Sequence, residues 1–226
     1  MKKVFEKFNL QLDEQKVDKF NRYYELLVEY NERFNLTAIV NKDEVIVKHF
    51  VDSLLGAKYF TKGKLIDIGS GAGFPAIPLK IFNDDLDVTL VEATGKKCTF
   101  LNAVIKELGL KNIKVVNDRA EILGKNPDFR EKFDFCSARA VARLNTLAEY
   151  CMPFVKVDGY FIPYKGDVTE ELEDGKRAVK LLGGKIEKVD EFLLEDAKRS
   201  IVLVKKVSNT QNIYPRGNGK ERKKPL

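Results

Sequence analysis

Leu65-Ile66-Asp67-Ile68-Gly69-Ser70-Gly71-Ala72-Gly73-Phe74-Pro75 is the stretch from which the rest of this chain is read. A short apolar run ends in an acid, three glycines follow at alternate positions, and a proline stands where a helix can open. Strand, glycine turn and helix start together make a place where backbone comes close to a ligand. Glycine suits such a turn because a side chain would block the approach and because positive φ costs it little. Pro75 is expected at the first helical position, where its missing N–H is no loss.

Two classes of cofactor use this architecture. Gly71-Ala72-Gly73-Phe74-Pro75-Ala76 matches the dinucleotide fingerprint G-x-G-x-x-G/A. The other frame is Asp67-x-Gly69-x-Gly71-x-Gly73, an acid two residues ahead of the first glycine. Charge separates the two. A carboxylate on the turn repels a pyrophosphate and favours a ligand that carries cationic groups and no phosphate. S-adenosylmethionine (SAM), with an ammonium and a sulfonium, fits that description, so Asp67, Gly69, Gly71 and Gly73 are read as a SAM site. Asp87-Val88-Thr89-Leu90-Val91-Glu92 is a second strand ending in an acid, and Glu92 follows Asp67 by 25 residues, one βαβ unit. In such a unit the second acid meets the ribose hydroxyls.

The wider pattern agrees with an α/β fold. Strand-like runs at 64–68, 87–92, 113–117, 133–138, 158–163, 185–192 and 200–207 alternate with helical patterns at about 75–82, 96–108, 142–155 and 169–182. Alternation of this kind predicts a mostly parallel sheet with helices on both faces and ligands beyond the strands' carboxyl ends. The last two strands are separated only by a short polar connection and are expected to form an antiparallel hairpin at one edge. Ahead of the first strand, Asp13-Glu14-Gln15 opens a helix whose apolar positions are Val17, Phe20, Tyr24, Leu27, Val28 and Phe34, the spacing of one buried face. Asn35 ends it, in a position suited to the left-handed conformation. A further helix is expected from about Asp43 through Leu55. Three segments follow from this reading: 1–61 a helical cover, 62–207 the core and 208–226 a basic tail, together one globular unit.

Composition sets the limits. The 226 residues suit one α/β domain with an extension or two small ones, and 44% hydrophobic residues supply a sizeable core. No apolar run approaches the roughly 20 residues of a membrane span, and the N-terminus turns polar too early for a signal peptide. Cys98, Cys136 and Cys151 are widely spaced and lack metal-ligand companions, so they are read as buried thiols of a cytoplasmic protein, and no metal is expected. The net charge of +6 is unevenly placed. Seven basic residues and one acid lie between Lys205 and Leu226, which leaves 33 of each sign in residues 1–204. A basic segment on a neutral body points to a polyanionic partner.

Further candidates sit at strand ends. Asn117-Asp118-Arg119-Ala120-Glu121 follows the third strand, where its backbone and acid would meet an adenine; a helix start with early acids is the plainer alternative. Ser137-Ala138-Arg139-Ala140 follows the fourth strand, facing the methyl-donor pocket, and Lys165-Gly166 ends the fifth at its rim. The sole histidine, His49, more often anchors structure than performs chemistry, and Asp52 one turn on is its expected partner.

Taken together these residues resemble the bacterial glucose-inhibited division protein B family, the 16S rRNA guanine-N7 methyltransferases. The resemblance spans almost the whole chain. It rests on Asn35-Leu36-Thr37-Ala38-Ile39, His49-Phe50-Val51-Asp52-Ser53-Leu54 and Asp67 through Pro75, then on Glu92, Arg119-Ala120-Glu121, Arg139-Ala140, Lys165-Gly166 and Tyr214-Pro215-Arg216. It implies a Rossmann-like class I SAM-dependent methyltransferase with a seven-stranded sheet, and methyl transfer to N7 of a guanine in 16S rRNA with S-adenosylhomocysteine as by-product. It also places the cofactor on Gly69, Phe74, Ala120, Glu121 and Arg139; since a guanidinium cannot serve as a base, Arg139 is read as orienting the substrate, the one catalytic candidate. Two positions depart from the family pattern: Ala76 replaces a glycine and Glu221 a proline. The expected partner is 16S rRNA or a small-subunit particle, met by Lys165, Arg216, Lys220, Arg222, Lys223 and Lys224, with Lys205 and Lys206 adding phosphate contacts. No membrane is expected, and the chain is expected to act as a monomer. A nicotinamide oxidoreductase, a non-catalytic RNA-binding protein and a small-molecule methyltransferase are the rival classes; Asp67 disfavours the first and the basic tail the last.

Overall fold

In the computed structural model the chain is described over residues 1–139 and 142–226, so Ala140, paired with Arg139 in the sequence reading, lies outside the described residues. The N-terminal part is helical: α1 (Lys2–Lys7), α2 (Glu14–Phe34) and α3 (Lys42–Val45), then a π-helical stretch, Ile46–Val51, and α4 (Asp52–Leu54). Asp13 caps α2 by accepting the Lys16 N–H at 2.8 Å, and Asn35 ends it at φ 52°, the left-handed conformation that favours asparagine. Its buried stripe is Phe20, Tyr23, Leu26 and Leu27, so Tyr23 takes the place expected for Tyr24, which is only half-buried.

The remainder alternates: β1 (Gly63–Ile68), α5 (Ala76–Phe82), β2 (Leu86–Val91), α6 (Gly95–Glu107), β3 (Ile113–Val116), α7 (Ala120–Leu123), β4 (Phe133–Arg139), α8 (Leu144–Cys151), β5 (Val155–Lys165), α9 (Leu172–Leu181), β6 (Gly184–Leu194), β7 (Ala197–Lys206) and the short α10 (Lys220–Lys223). Strand order is β3-β2-β1-β4-β5-β7-β6. The first five strands are parallel, and β7 runs antiparallel to both β5 and β6. The chain thus winds outward in one direction from β1 through β3 and in the other from β4. The switch point between β1 and β4 is where an open α/β sheet leaves a crevice at its carboxyl end.

Period-two alternation assigns the sheet's two faces. Leu65, Phe135, Ile162 and Ile201 join α2, α5, α6 and the π-helical stretch in one core, and Ile66, Ile68, Cys136, Phe161 and Val202 join α8 in the other. The N-terminal helices therefore seal one face of the sheet. Each fully buried large side chain there, such as Phe20 or Leu27, contributes about 2 kcal/mol. Asp67 has the parity of Leu65, which directs this acid under the helical cover. Among the described residues no helix is long and apolar enough to cross a membrane.

Candidate functional site: a glycine loop between two clefts

The glycine loop leaves β1 at the switch point. Gly69 and Ser70 donate their N–H groups to the Val91 carbonyl at 2.9 and 3.1 Å, which ties the loop to the end of β2. Gly73, at φ 94°, has no room for a side chain, because a Cβ would stand 2.6 Å from the Tyr23 hydroxyl and 2.5 Å from Ile77. Gly71, at φ 58°, is different: a Cβ there would meet nothing closer than the Gly69 carbonyl at 3.8 Å. The loop is closed toward the helices and open above Gly71, where a ligand would approach. Helix α5 begins at Ala76, so Pro75 is its N-cap and not its first residue.

Asp67 and Ser137 are register partners across β1 and β4, and the Ser137 hydroxyl donates to Asp67 Oδ1 at 2.6 Å. Oδ2 has no partner among the described residues, and the side chain is wholly buried. The acid therefore lies on the floor beneath the loop, not at its mouth, because strand parity turns it under the cover. Burial pushes its carboxyl up from 3.8 to about 7, against the pull of the Ser137 bond and of Arg139. A cation arriving over the loop favours its charged form, through the field or through a bridging water.

Glu92, one residue past β2, accepts Gly71 N–H at 2.9 Å on Oε2 and Thr94 N–H at 2.8 Å on Oε1. Each carboxylate oxygen keeps a further lone pair for a ligand hydroxyl. Glu92 lines a cleft of about 310 Å³ together with Gly69, Asp118, Ala120, Glu121 and Tyr150. Glu121 is itself engaged by Arg119 Nε at 2.7 Å. Four of the residues expected to hold the cofactor, Gly69, Glu92, Ala120 and Glu121, thus share one cleft.

Phe74 and Arg139 lie at the other end of the loop. The Phe74 ring is buried, stacked on His49 with centroids 4.6 Å apart, and the Arg139 guanidinium stands 4.7 Å from its centroid. Arg139 Nη1 donates to Asp52 Oδ2 at 2.7 Å, and Arg199 Nε donates to Oδ1 at 2.8 Å. Asp52 thus holds two arginines and is not the partner of His49. The π-helical stretch Ile46–Val51 widens the turn between them and removes the ordinary one-turn alignment. His49 instead bonds Thr37 Oγ1 through Nε2 at 2.9 Å and the Lys48 carbonyl through Nδ1 at 3.1 Å. Burial, then the charge of Arg139, lowers its pKa from 6.5 to about 4, so the ring is neutral near pH 7.

His49, Asp52, Arg139 and Arg199 line a second cleft of about 360 Å³ with Lys48, Tyr164, Lys165 and Ile201. Lys48, Arg139, Lys165 and Arg199 line it with the carboxylate of Asp52, and with Lys48 paired to Glu44 and Lys165 to Glu171 the cleft keeps a small net positive charge, which favours a phosphate-bearing substrate. Lys165 does not reach freely into solvent, since its ammonium pairs with Glu171 at 2.8 Å and donates to the Ala142 carbonyl at 2.7 Å. Arg199 in this cleft and Tyr23 under the glycine loop were not singled out from sequence. Arg199 is 147 positions from Asp52 and carries no local signal, whereas Tyr23 could have been found from its spacing to Phe20 and Leu27. The Tyr23 hydroxyl donates to the Ala72 carbonyl and so fastens the cover to the loop.

The basic tail also differs from expectation. Lys206 is fully buried, donating to the Met152 carbonyl at 2.7 Å and Thr210 Oγ1 at 2.6 Å, because β7 directs it inward. Lys205 pairs with Asp158 at 3.3 Å. Arg216 is bound bidentate to the wholly buried Glu149, at 2.9 and 2.7 Å, so much of its guanidinium is committed within the fold. Lys220, Arg222, Lys223 and Lys224 are exposed.

A glycine loop at the switch point, an enclosed acid beneath it and a second acid at the end of β2 define a class I SAM-dependent methyltransferase. Solved structures share the fold. P. horikoshii TYW2 in complex with MeSAdo matches at a TM-score of 0.56 and 15% identity, covering 70% of this chain and 62% of its own. M. jannaschii TYW2 in complex with AdoMet matches at 0.55 and 13%, covering 70% and 76%. The particular kind follows from sequence similarity. The family model described as GidB, rRNA small subunit methyltransferase G, matches residues 16–202. Proteins named Ribosomal RNA small subunit methyltransferase G from Acetivibrio thermocellus and Lactobacillus acidophilus are 48% and 46% identical. Each alignment covers 97% of this chain, and 92% and 95% of the respective relative. The chain belongs to the rRNA small subunit methyltransferase G family.

Proposed function

We propose that this chain transfers a methyl group from SAM to N7 of a guanine in 16S rRNA, acting in the cytoplasm as a monomer. The observation that carries the reading is the buried, half-satisfied carboxyl of Asp67 beneath an open glycine loop, with a basic cleft at the loop's far end. The donor set fits the cofactor: Asp67 favours its cationic amino acid end, Glu92 has free lone pairs for ribose hydroxyls, and the Ala120–Glu121 segment borders the same cleft. When bound, SAM supplies an electrophilic methyl on a sulfonium.

The chain's own residues need do little covalent chemistry. Guanine N7 already carries a free lone pair, so no general base is required, and alignment and electrostatics supply the rate. A guanidinium is a donor with no acceptor, so Arg139 cannot act as a base. Its guanidinium, held by Asp52 and by the Phe74 face, is a fixed donor suited to guanine O6. Asp52 also offsets part of the two arginines' charge where the purine becomes cationic, and neutral His49 adds none. Arg199 at the rim, with Lys220, Lys223 and Lys224 on the tail, suits phosphates, and such binding weakens with salt. In this scheme residues 1–61 act as a cover, 62–207 as the catalytic core and 208–226 as the tail.

The test is incubation of unmethylated small-subunit rRNA and particles with isotopically labelled SAM, followed by nucleoside analysis. Label in 7-methylguanosine is the expected result. Label in another nucleoside overturns the position assigned, and no transfer to either substrate overturns the activity.

A further inference from the structure

The tail reaches the cofactor cleft itself. It is held from several sides: Arg216 lies on Glu149, the Thr146 hydroxyl donates to the Glu221 carbonyl at 3.1 Å, and Asn145 Nδ2 donates to the Leu226 carbonyl at 3.1 Å. Upstream, the Arg130 guanidinium donates to the carbonyls of Thr210, Gln211 and Tyr214 at 2.6 to 3.1 Å. Glu221, the residue that departs from the family's proline, is fully buried within α10 and accepts the Gly217 N–H. An anchored segment with its acid turned inward presents a fixed surface.

That surface is a wall of the cleft. Gly219 and Arg222 line it opposite Gly69, Glu92, Ala120 and Glu121. The other cation there, Arg119, is committed to Glu121 at 2.7 Å. Arg222 has no carboxylate within salt-bridge distance among the described residues, and beyond a hydrogen bond shared with the Tyr150 hydroxyl its remaining guanidinium donors are open to a ligand.

We propose that Arg222 is a cofactor-binding residue, which with Gly219 closes the adenosyl side of the SAM cleft. This rests on the reading of that cleft as a SAM site. The tail is then part of the cofactor site on one face, while Lys220, Lys223 and Lys224 remain on its solvent face. By linkage, a ligand in the cleft strengthens docking of the tail.

Calorimetric titration of the full chain with S-adenosylhomocysteine tests this. Arg222→Ala is expected to bind about tenfold more weakly than wild type, the size of one cation–π or charge-assisted contact in a partly enclosed site. Saturating S-adenosylhomocysteine is also expected to slow tryptic cleavage between Arg216 and Lys224 in the wild type. If Arg222→Ala melts well below wild type, Arg222→Gln takes its place in the comparison. Equal affinity of wild type and variant, with cleavage unaffected by the ligand, overturns the proposal and leaves the SAM reading standing. A wild-type chain that does not bind S-adenosylhomocysteine overturns both.

Discussion

Replacing Arg216 by alanine distinguishes a strut from a phosphate contact. The side chain makes two bonds to Glu149, at 2.9 and 2.7 Å, and a third to the Lys224 carbonyl at 2.8 Å. Glu149 has no solvent exposure, whereas Arg216 is 24% exposed. Breaking a buried ion pair from one side costs about 3–5 kcal/mol, because a carboxylate is left without its counter-ion. Here the Arg216 N–H still donates to Glu149 Oε1 after the substitution, and water can enter where the guanidinium was. The expected loss is therefore nearer about 2–3 kcal/mol, which in a chain of this length lowers the melting midpoint by about 4–12 °C. Thermal melts of wild type, Arg216→Ala, Glu149→Gln and the double variant measure it. The double variant should recover part of the loss, since an unpaired amide is cheaper to bury than an unpaired carboxylate. An Arg216→Ala chain that melts with the wild type yet binds rRNA less tightly would return Arg216 to the phosphate-contacting set.

Asp67 makes folding pH-dependent in a defined direction. Its carboxyl is raised from 3.8 to about 7, so the folded chain keeps a proton there that the unfolded chain has released. The associated stability is full below the unfolded value and is lost as pH rises through about 7. Denaturant midpoints of wild type and Asp67→Asn across that range should differ in slope, and parallel curves would mean that the group is not enclosed. His49 runs oppositely: its depressed pKa adds stability above 6.5 that disappears as pH falls through about 4. It is the only histidine, so its single imidazole C2–H signal should titrate in nuclear magnetic resonance near 4, and a midpoint near 6.5 would contradict the enclosed geometry. Tyr23→Phe leaves the Ala72 carbonyl without its hydroxyl donor and should cost about 1 kcal/mol in urea unfolding. S-adenosylhomocysteine affinity should fall with it; unchanged stability and affinity would break the link drawn between cover and loop.

The fold was legible because its signals are local. Alternating strand and helix patterns and three glycines beside two strand-end acids place seven strands and the cofactor turn within three residues of their observed positions. What sequence could not supply were partners distant along the chain. The pattern near His49 offered Asp52, but a π-helical stretch and Arg199, 147 positions on, redirected that acid. Strand parity was available to put Asp67 beneath the cover, yet its partner Ser137 is 70 positions away on β4. The tail's charge suggested phosphate contacts along its length. Glu149, a lone acid in the otherwise uncharged and wholly buried helix Leu144–Cys151, was the one clue that a distant cation had to reach it.

Direct titration of the chain with S-adenosylhomocysteine and, in parallel, with NAD bears hardest on the reading of the glycine loop. A carboxyl enclosed beneath the loop predicts saturable binding of the first, weakened in Asp67→Asn, and none of the second. Binding of NAD with no affinity for S-adenosylhomocysteine would contradict it.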